Sequence, residues 1–388
     1  MLMNENPKKM KRGRRRLIRF VCSLLSIVVL TYIAVTLISG RSLELFSIFG
    51  NNSDRRQVEM ADEYYFDVGR NRVFADLGGS PVAAGTLGVQ VLDAGGDEVF
   101  RDSFRMSYPA ISALGGRAVV FDISGTSLRV LSKTEIIVSL ETGGPIVSAS
   151  INQNGWIAVC TQETVGSKGL VTVYNNEGRA EYKVNFARGY VLSAQLSPDN
   201  RSIVILNLTD DGSRFSFYNL SSEEVERVFD LPGVLILDMR YLASGEVRAI
   251  SKDALMIVGN NNASAEIYRF DGRFLGGYSL DGGFLVLHLL DYNVGHSGCL
   301  VTIGEDGSLL GEMETDKEIV SMSVGGGYLA ILHNDGIVFY SADLEELPMV
   351  EESAFAAGTA KVLAIGEGAA LAAGDHSAMV FRIDYSIE

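Results

Sequence analysis

The chain has 388 residues, 47% of them hydrophobic, with 42 glycines against 7 prolines, three cysteines and a formal charge of −15. This composition supports a sizeable core, suits a turn-rich β protein better than a helical one, and excludes a disulfide framework. The charge is uneven: eight Lys/Arg and one acidic residue precede Gly40, and 25 basic and 47 acidic residues follow, an acidic body that repels nucleic-acid phosphate.

Residues 1–16 form a polar, basic tail carrying Lys8, Lys9, Lys11, Arg12, Arg14, Arg15 and Arg16. Residues 17–39 read as a transmembrane signal anchor, because 20–39 (FVCSLLSIVVLTYIAVTLIS) is an uncharged run. As a helix it would rise about 30 Å, the thickness of a bilayer's hydrocarbon core. A cleaved signal peptide is the alternative, but its apolar region would be shorter and would end at a small-x-small site that is not found here. The basic tail attracts anionic lipid and stays cytoplasmic, which puts everything after the span outside the cytoplasm. Residues 40–63 read as a stem, and 64–388 as one ectodomain.

That ectodomain repeats a four-stranded unit. The unit is clearest at 144–186, where PIVSASI, WIAVC, LVTVY and EYKVNF are separated by polar turns. Four strands in about forty residues, repeated, signal a β-propeller blade. Further units run 72–104, 109–140, 190–231, 234–270, 273–314 and 318–350, and 361–384 offers only three strands. YYFDV at 64–68 precedes the first unit without a partner, so pairing it with 379–383 completes an eighth blade and removes an open sheet edge. The expected fold is all-β, an eight-bladed β-propeller with an N-terminal transmembrane helix. Seven blades is the alternative if the sixth unit is not a true blade.

Second strands such as RAVVF, WIAVC and SIVILNL are apolar on both alternations, as burial on both faces requires. First strands such as SASI, ISAL and SMSV are small because blades taper toward the axis. Asp-Asp-Gly at 210–212, Glu-Asp-Gly at 305–307 and Asn-Asp-Gly at 334–336 are expected to supply positive φ to hairpins, and Pro198 to preset a turn in LSPDN. Cys160 and Cys299 are expected to be buried free thiols, with a single bridge between them as the alternative.

Chemical motifs are sparse. His288, His296, His333 and His376 fall in different units, and His296 with Cys299 lacks the second ligand pair of a zinc site. Glycines 325–327 join two strands, not a strand and a helix, so they do not form a phosphate cradle. Asp210, Asp211 and Ser213 lack the spacing of a calcium loop. Asn-x-Ser/Thr triplets occur at 207–209 and 262–264. No cofactor or metal is implied. Aligning the first strands 147–151, 192–196, 237–241 and 320–324 produces two polar columns. One holds Ser148, Ser193, Asp238 and Ser321; the other holds Ser150, Gln195, Arg240 and Ser323. Asp238 and Arg240 share a strand face. These eight residues are the candidate binding residues at the channel mouth, set against the alternative that they only satisfy one another and channel water.

The series PIVSASINQNGWIAV, GLVTVYNNEG, YVLSAQLSPDN and VLILDMRYL resembles an uncharacterised bacterial family of membrane-anchored propeller proteins known only as a domain of unknown function. The resemblance spans residue 64 to the C-terminus together with the anchor, and it implies fold and topology but no catalytic residue. More loosely the blades are similar to WD-repeat and quinoprotein-like propellers. They lack the Gly-His and Trp-Asp signatures of the first and have only Trp156 where the second has one tryptophan per blade. The expected function is a membrane-anchored, extracytoplasmic scaffold that binds a protein or envelope polymer without catalysis. The alternatives are a small-ligand sensor, or a quinoprotein-type oxidoreductase or polysaccharide lyase with its site at the channel mouth.

Overall fold

Alternation within each four-stranded unit builds eight separate antiparallel sheets, none with more than four strands. The computed structural model describes residues 63–162, 168–222, 224–260, 263–280, 282–350, 359, 361–365 and 368–385. The basic tail, the expected membrane span with Cys22, and the expected stem as far as residue 62 lie outside the described residues. Among the described residues, no helix is long and apolar enough to cross a membrane.

Seven blades are continuous in sequence, spanning 73–102, 109–141, 146–186, 190–232, 236–269, 274–315 and 321–347. The sixth is complete, with strands Phe274–Ser279, Phe284–Leu290, Gly298–Gly304 and Leu309–Thr315, which removes the seven-bladed alternative. The eighth blade joins Lys361–Ile365, Ala369–Ala373 and Ser377–Arg382 to Glu63–Tyr65 from the other end of the chain. Tyr64 lies opposite Ala378 and Tyr65 opposite Ser377. The expected closure therefore forms, but its strand is shorter than residues 64–68 and begins at Glu63. After Phe66 the chain turns onto blade 1, where the Asp67 amide donates to Gln90 Oε1 at 3.0 Å and the Leu87 amide to the Val68 carbonyl at 2.9 Å.

The core is divided among the joints of the ring. Eight apolar clusters each draw on two consecutive blades, and the last joins blade 8 to blade 1. Second strands feed two joints at once. Val119 packs toward blade 3 and Val120 toward blade 1, while Val204 faces blade 5 and Ile205 faces blade 3. Period-2 alternation sends neighbours to opposite faces, so a sheet sandwiched between two others must be apolar on both.

Innermost strands carry small residues for the reason expected. A Cβ placed on Gly325 would lie 3.0 Å from the Cβ of Ala364 in the next blade. Gly212 (φ 147°) and Gly307 (φ 84°) occupy the positive-φ region, and a Cβ on Gly212 would meet the Leu231 carbonyl oxygen at 2.3 Å. Gly336 departs from the expectation: it does not adopt positive φ, and the backbone there turns in a conformation open to any residue. Asn200, closing the Pro198 turn, takes φ 60°, as asparagine tolerates.

Cys160 and Cys299 are free and fully buried. Burial pushes the Cys160 thiol up to about 12 and Cys299 up to about 11, which leaves both unreactive near neutral pH.

His288, on the second strand of blade 6, is buried, and its Nε2 has no hydrogen-bond partner. Burial first, and the charge of His333 second, pull its pKa below the ordinary 6.5. The unfolded chain therefore takes up this proton before the folded one does. The stabilisation is present above about pH 6.5 and is lost as the pH falls from there through the folded value. Urea-unfolding midpoints measured across that window will decline with acidification, and His288→Leu will remove this part of the decline.

Candidate functional site

The first strands of all eight blades surround a cavity of about 660 Å³, from Phe74 in blade 1 to Leu363 in blade 8. Of the eight sequence-predicted residues, Ser150, Ser193, Gln195, Asp238, Arg240 and Ser323 stand on its wall, and Ser148 and Ser321 do not. The ring thus gathers six of them around one space.

Most of their polar atoms are already engaged. Ser148 Oγ donates to the Leu192 carbonyl at 2.9 Å and Ser150 Oγ to the Ala194 carbonyl at 2.7 Å, from blade 3 to blade 4. Gln195 spans blades 4 and 5, with Nε2 donating to the Met239 carbonyl at 2.7 Å and Oε1 accepting from the Tyr241 amide at 2.8 Å. Between blades 7 and 8, Ser321 Oγ accepts from the Val362 amide at 3.2 Å and Ser323 Oγ from the Ala364 amide at 3.0 Å. The cause is topological. An innermost strand has no neighbouring strand on its axial side, so its backbone groups there need partners. A short polar side chain on the preceding blade supplies one, each bond contributing about 0.5–1.5 kcal/mol.

The intervening positions, Ala149, Ala194 and Met239, pack backward onto the preceding blade. The polar columns therefore face forward along the ring, stitching each wedge to the next.

The joint between blades 5 and 6 differs. Asp238 accepts from its neighbour's amide, Met239 N, at 2.7 Å and hydrogen-bonds Tyr278 of blade 6. Burial, then the Asp238 charge and this bond, push the Tyr278 phenol up to about 12. Arg240 lines the axial cavity and also a cavity of about 400 Å³ at the mouth, with Gln153, Pro198 and Glu305. Its cross-strand neighbour Arg248 donates to the Glu305 carbonyl at 2.8 Å. Sequence reasoning missed Tyr278, Arg248 and Glu305. Extending the first-strand alignment to FLGGYS in blade 6 would have placed Tyr278 at the backward-facing position, opposite Asp238.

The two broad faces of the ring differ in character. One carries the turns between second and third strands and the connections between blades. Eleven of the eighteen exposed large apolar side chains among the described residues lie there, among them Leu87, Tyr108 and Ile123 on blades 1 and 2, Tyr190 and Leu237 at the starts of blades 4 and 5, and Phe274, Tyr292 and Val294 on blade 6. On the other face the turns at 152–156, 197–201 and 242–246 carry Asn152, Asn154, Ser197, Asp199, Asn200, Ser244 and Glu246. Asn152 and Asn154 donate there to the Ser197 and Pro198 carbonyls.

Closed, four-stranded, wedge-shaped sheets around a polar axial cavity define the class: this is an eight-bladed β-propeller. The chain belongs to the family of unknown function DUF5711, whose profile matches residues 51–343. Among solved structures it is similar to BamB from Moraxella catarrhalis, at 14% identity over 84% of this chain and 99% of that one, with a TM-score of 0.53. It is also similar to the C-terminal WD40 domain of Sif2, at 13% identity over 84% and 96%, with a TM-score of 0.53. At these identities the likeness establishes the fold alone. No curated protein sequence matches the chain.

Proposed function

We propose that this protein is a membrane-anchored, extracytoplasmic scaffold that docks a protein partner, without turnover, on the face bearing Tyr190, Leu237, Phe274 and Tyr292. The observation that carries the proposal is the bias of exposed large apolar side chains toward that face. Exposed apolar groups gathered on one surface mark an interaction site, whereas scattered ones need no explanation. Those side chains lie on the face toward which Glu63–Tyr65 runs, at the turn of His376, with Glu63 itself toward the opposite face. Aromatic and aliphatic anchors of this kind dominate protein interfaces. The reading places the partner on the broad face and not in the axial cavity, because Ser150, Gln195 and Ser323 on the cavity wall are committed to neighbouring backbone. The anchor and its orientation rest on the uncharged run at 20–39 and the basic tail before it.

Site-specific photocrosslinking in native membranes tests the docking face. A photoreactive residue at Leu237 or Phe274 will give one discrete protein adduct, and the same residue at Ser244 on the opposite face will give none. Identical adducts from all three positions, or none from Leu237 and Phe274, would refute the docking face.

A further inference from the structure

Among the described residues, only Asn207 and His288 bury side-chain polar atoms that lack any hydrogen-bond partner. Asn207 is the sharper case, because both Oδ1 and Nδ2 are unpaired while the residue is only 2% exposed. Native proteins rarely leave a buried amide wholly unsatisfied. This one lines a cavity of about 580 Å³ on the flank of blade 4 where it meets blade 3. That volume falls within the range of small-molecule sites.

The walls indicate what chemistry fits. Phe186 from blade 3 and Tyr218 from blade 4 supply apolar surface, and the buried Ser216 stands between Asn207 and the outer strand. Across the outer two strands Arg214 holds Asp230 bidentately, Nε to Oδ1 at 2.6 Å and Nη2 to Oδ2 at 3.1 Å. These two charges answer one another, and Arg188 stands with Asp210 and Asp211 on the same wall, so the cavity carries mixed charge with a net of about one negative and does not demand a charged ligand. The Asn207 amide offers one acceptor and two donors side by side. A single trans peptide unit cannot meet both, because its N–H and C=O point in opposite directions; an extended strand does so only through two residues, as Met239 and Tyr241 do for Gln195. Two vicinal hydroxyls can, since each both donates and accepts.

We infer that this cavity is a binding site for the vicinal diol of a neutral saccharide, read by Asn207 and seated between Phe186 and Tyr218. The cavity reaches the docking face, where Arg188, Gly189, Thr209 and Gly212 line it, but the inference does not rest on that reading.

Thermal unfolding of the full chain in detergent tests the inference, with maltotriose, cellotriose, laminaritriose and mannotriose as probes. At least one will raise the midpoint saturably, as a ligand that binds only the folded state must. Asn207→Leu, which has similar size and no polar atoms, will keep or raise the sugar-free midpoint and abolish the shift. Ser216→Ala will fold normally and weaken the shift severalfold. The inference is overturned if no trisaccharide shifts the midpoint, or if the shift persists unchanged in Asn207→Leu. A shift produced by nicotinamide in place of the sugars would overturn it too, because a primary carboxamide would then be the ligand.

Discussion

Tyr64→Ala will lower the free energy of unfolding by about 3–5 kcal/mol, the range for truncating a large buried aromatic side chain. Tyr64 is fully buried in the cluster that holds blade 8 against blade 1, alongside Phe66, Val68, Leu371 and Val380. Its hydroxyl donates to the Ala94 carbonyl at 2.9 Å. Tyr64→Phe separates the two contributions, and will cost only about 1 kcal/mol for the lost hydrogen bond. The effect should be global, because this one short strand joins the two ends of the ring. Without it, Ser377–Arg382 becomes an unpaired edge, a template for aggregation. Deleting residues 63–68 will therefore turn a monodisperse propeller into an aggregating one. Urea denaturation and size-exclusion chromatography read both outcomes. A Tyr64→Ala midpoint close to wild type would mean that the ring does not depend on this closure.

The architecture could be read in the sequence because each blade repeats a local pattern. Strand alternation in RAVVF or SIVILNL reports burial on both faces, and the partnerless YYFDV reports the closure. Both follow from period-2 geometry and hydrogen-bond accounting, which need no tertiary information. The axial residues were legible in position but not in role. Register alone placed Ser150, Gln195 and Ser323 around the axis. Their commitment to the next blade's backbone emerges only once the ring brings blade 3 against 4 and 7 against 8. Arg248 and Glu305 were invisible for the same reason, being far apart in sequence and joined by a single inter-blade bond.

Other features were hidden by context. Tyr190, Leu237 and Phe274 look like ordinary strand residues, and only the arrangement of strand ends shows them gathered on one face. Asn207 sits in SIVILNL, where the sequence shows an Asn-x-Thr triplet, while the fold shows a buried amide beside a cavity. Gly336 shows the opposite error. Asn-Asp-Gly is a strong turn signal, but the turn that forms there does not use the glycine's conformational freedom.

The central claim is that the ring stands outside the cytoplasm with its apolar face open to a partner. It is tested most directly by labelling Tyr292→Cys in intact cells with a membrane-impermeant maleimide. Tyr292 is 70% exposed on that face, whereas Cys160 and Cys299 are fully buried and Cys22 lies within the expected membrane span. The wild-type chain is therefore an internal control of low background. The account predicts that Tyr292→Cys labels in intact cells to the extent seen after lysis, and that wild type labels in neither condition. Labelling of Tyr292→Cys only after lysis would place the propeller in the cytoplasm and contradict the account.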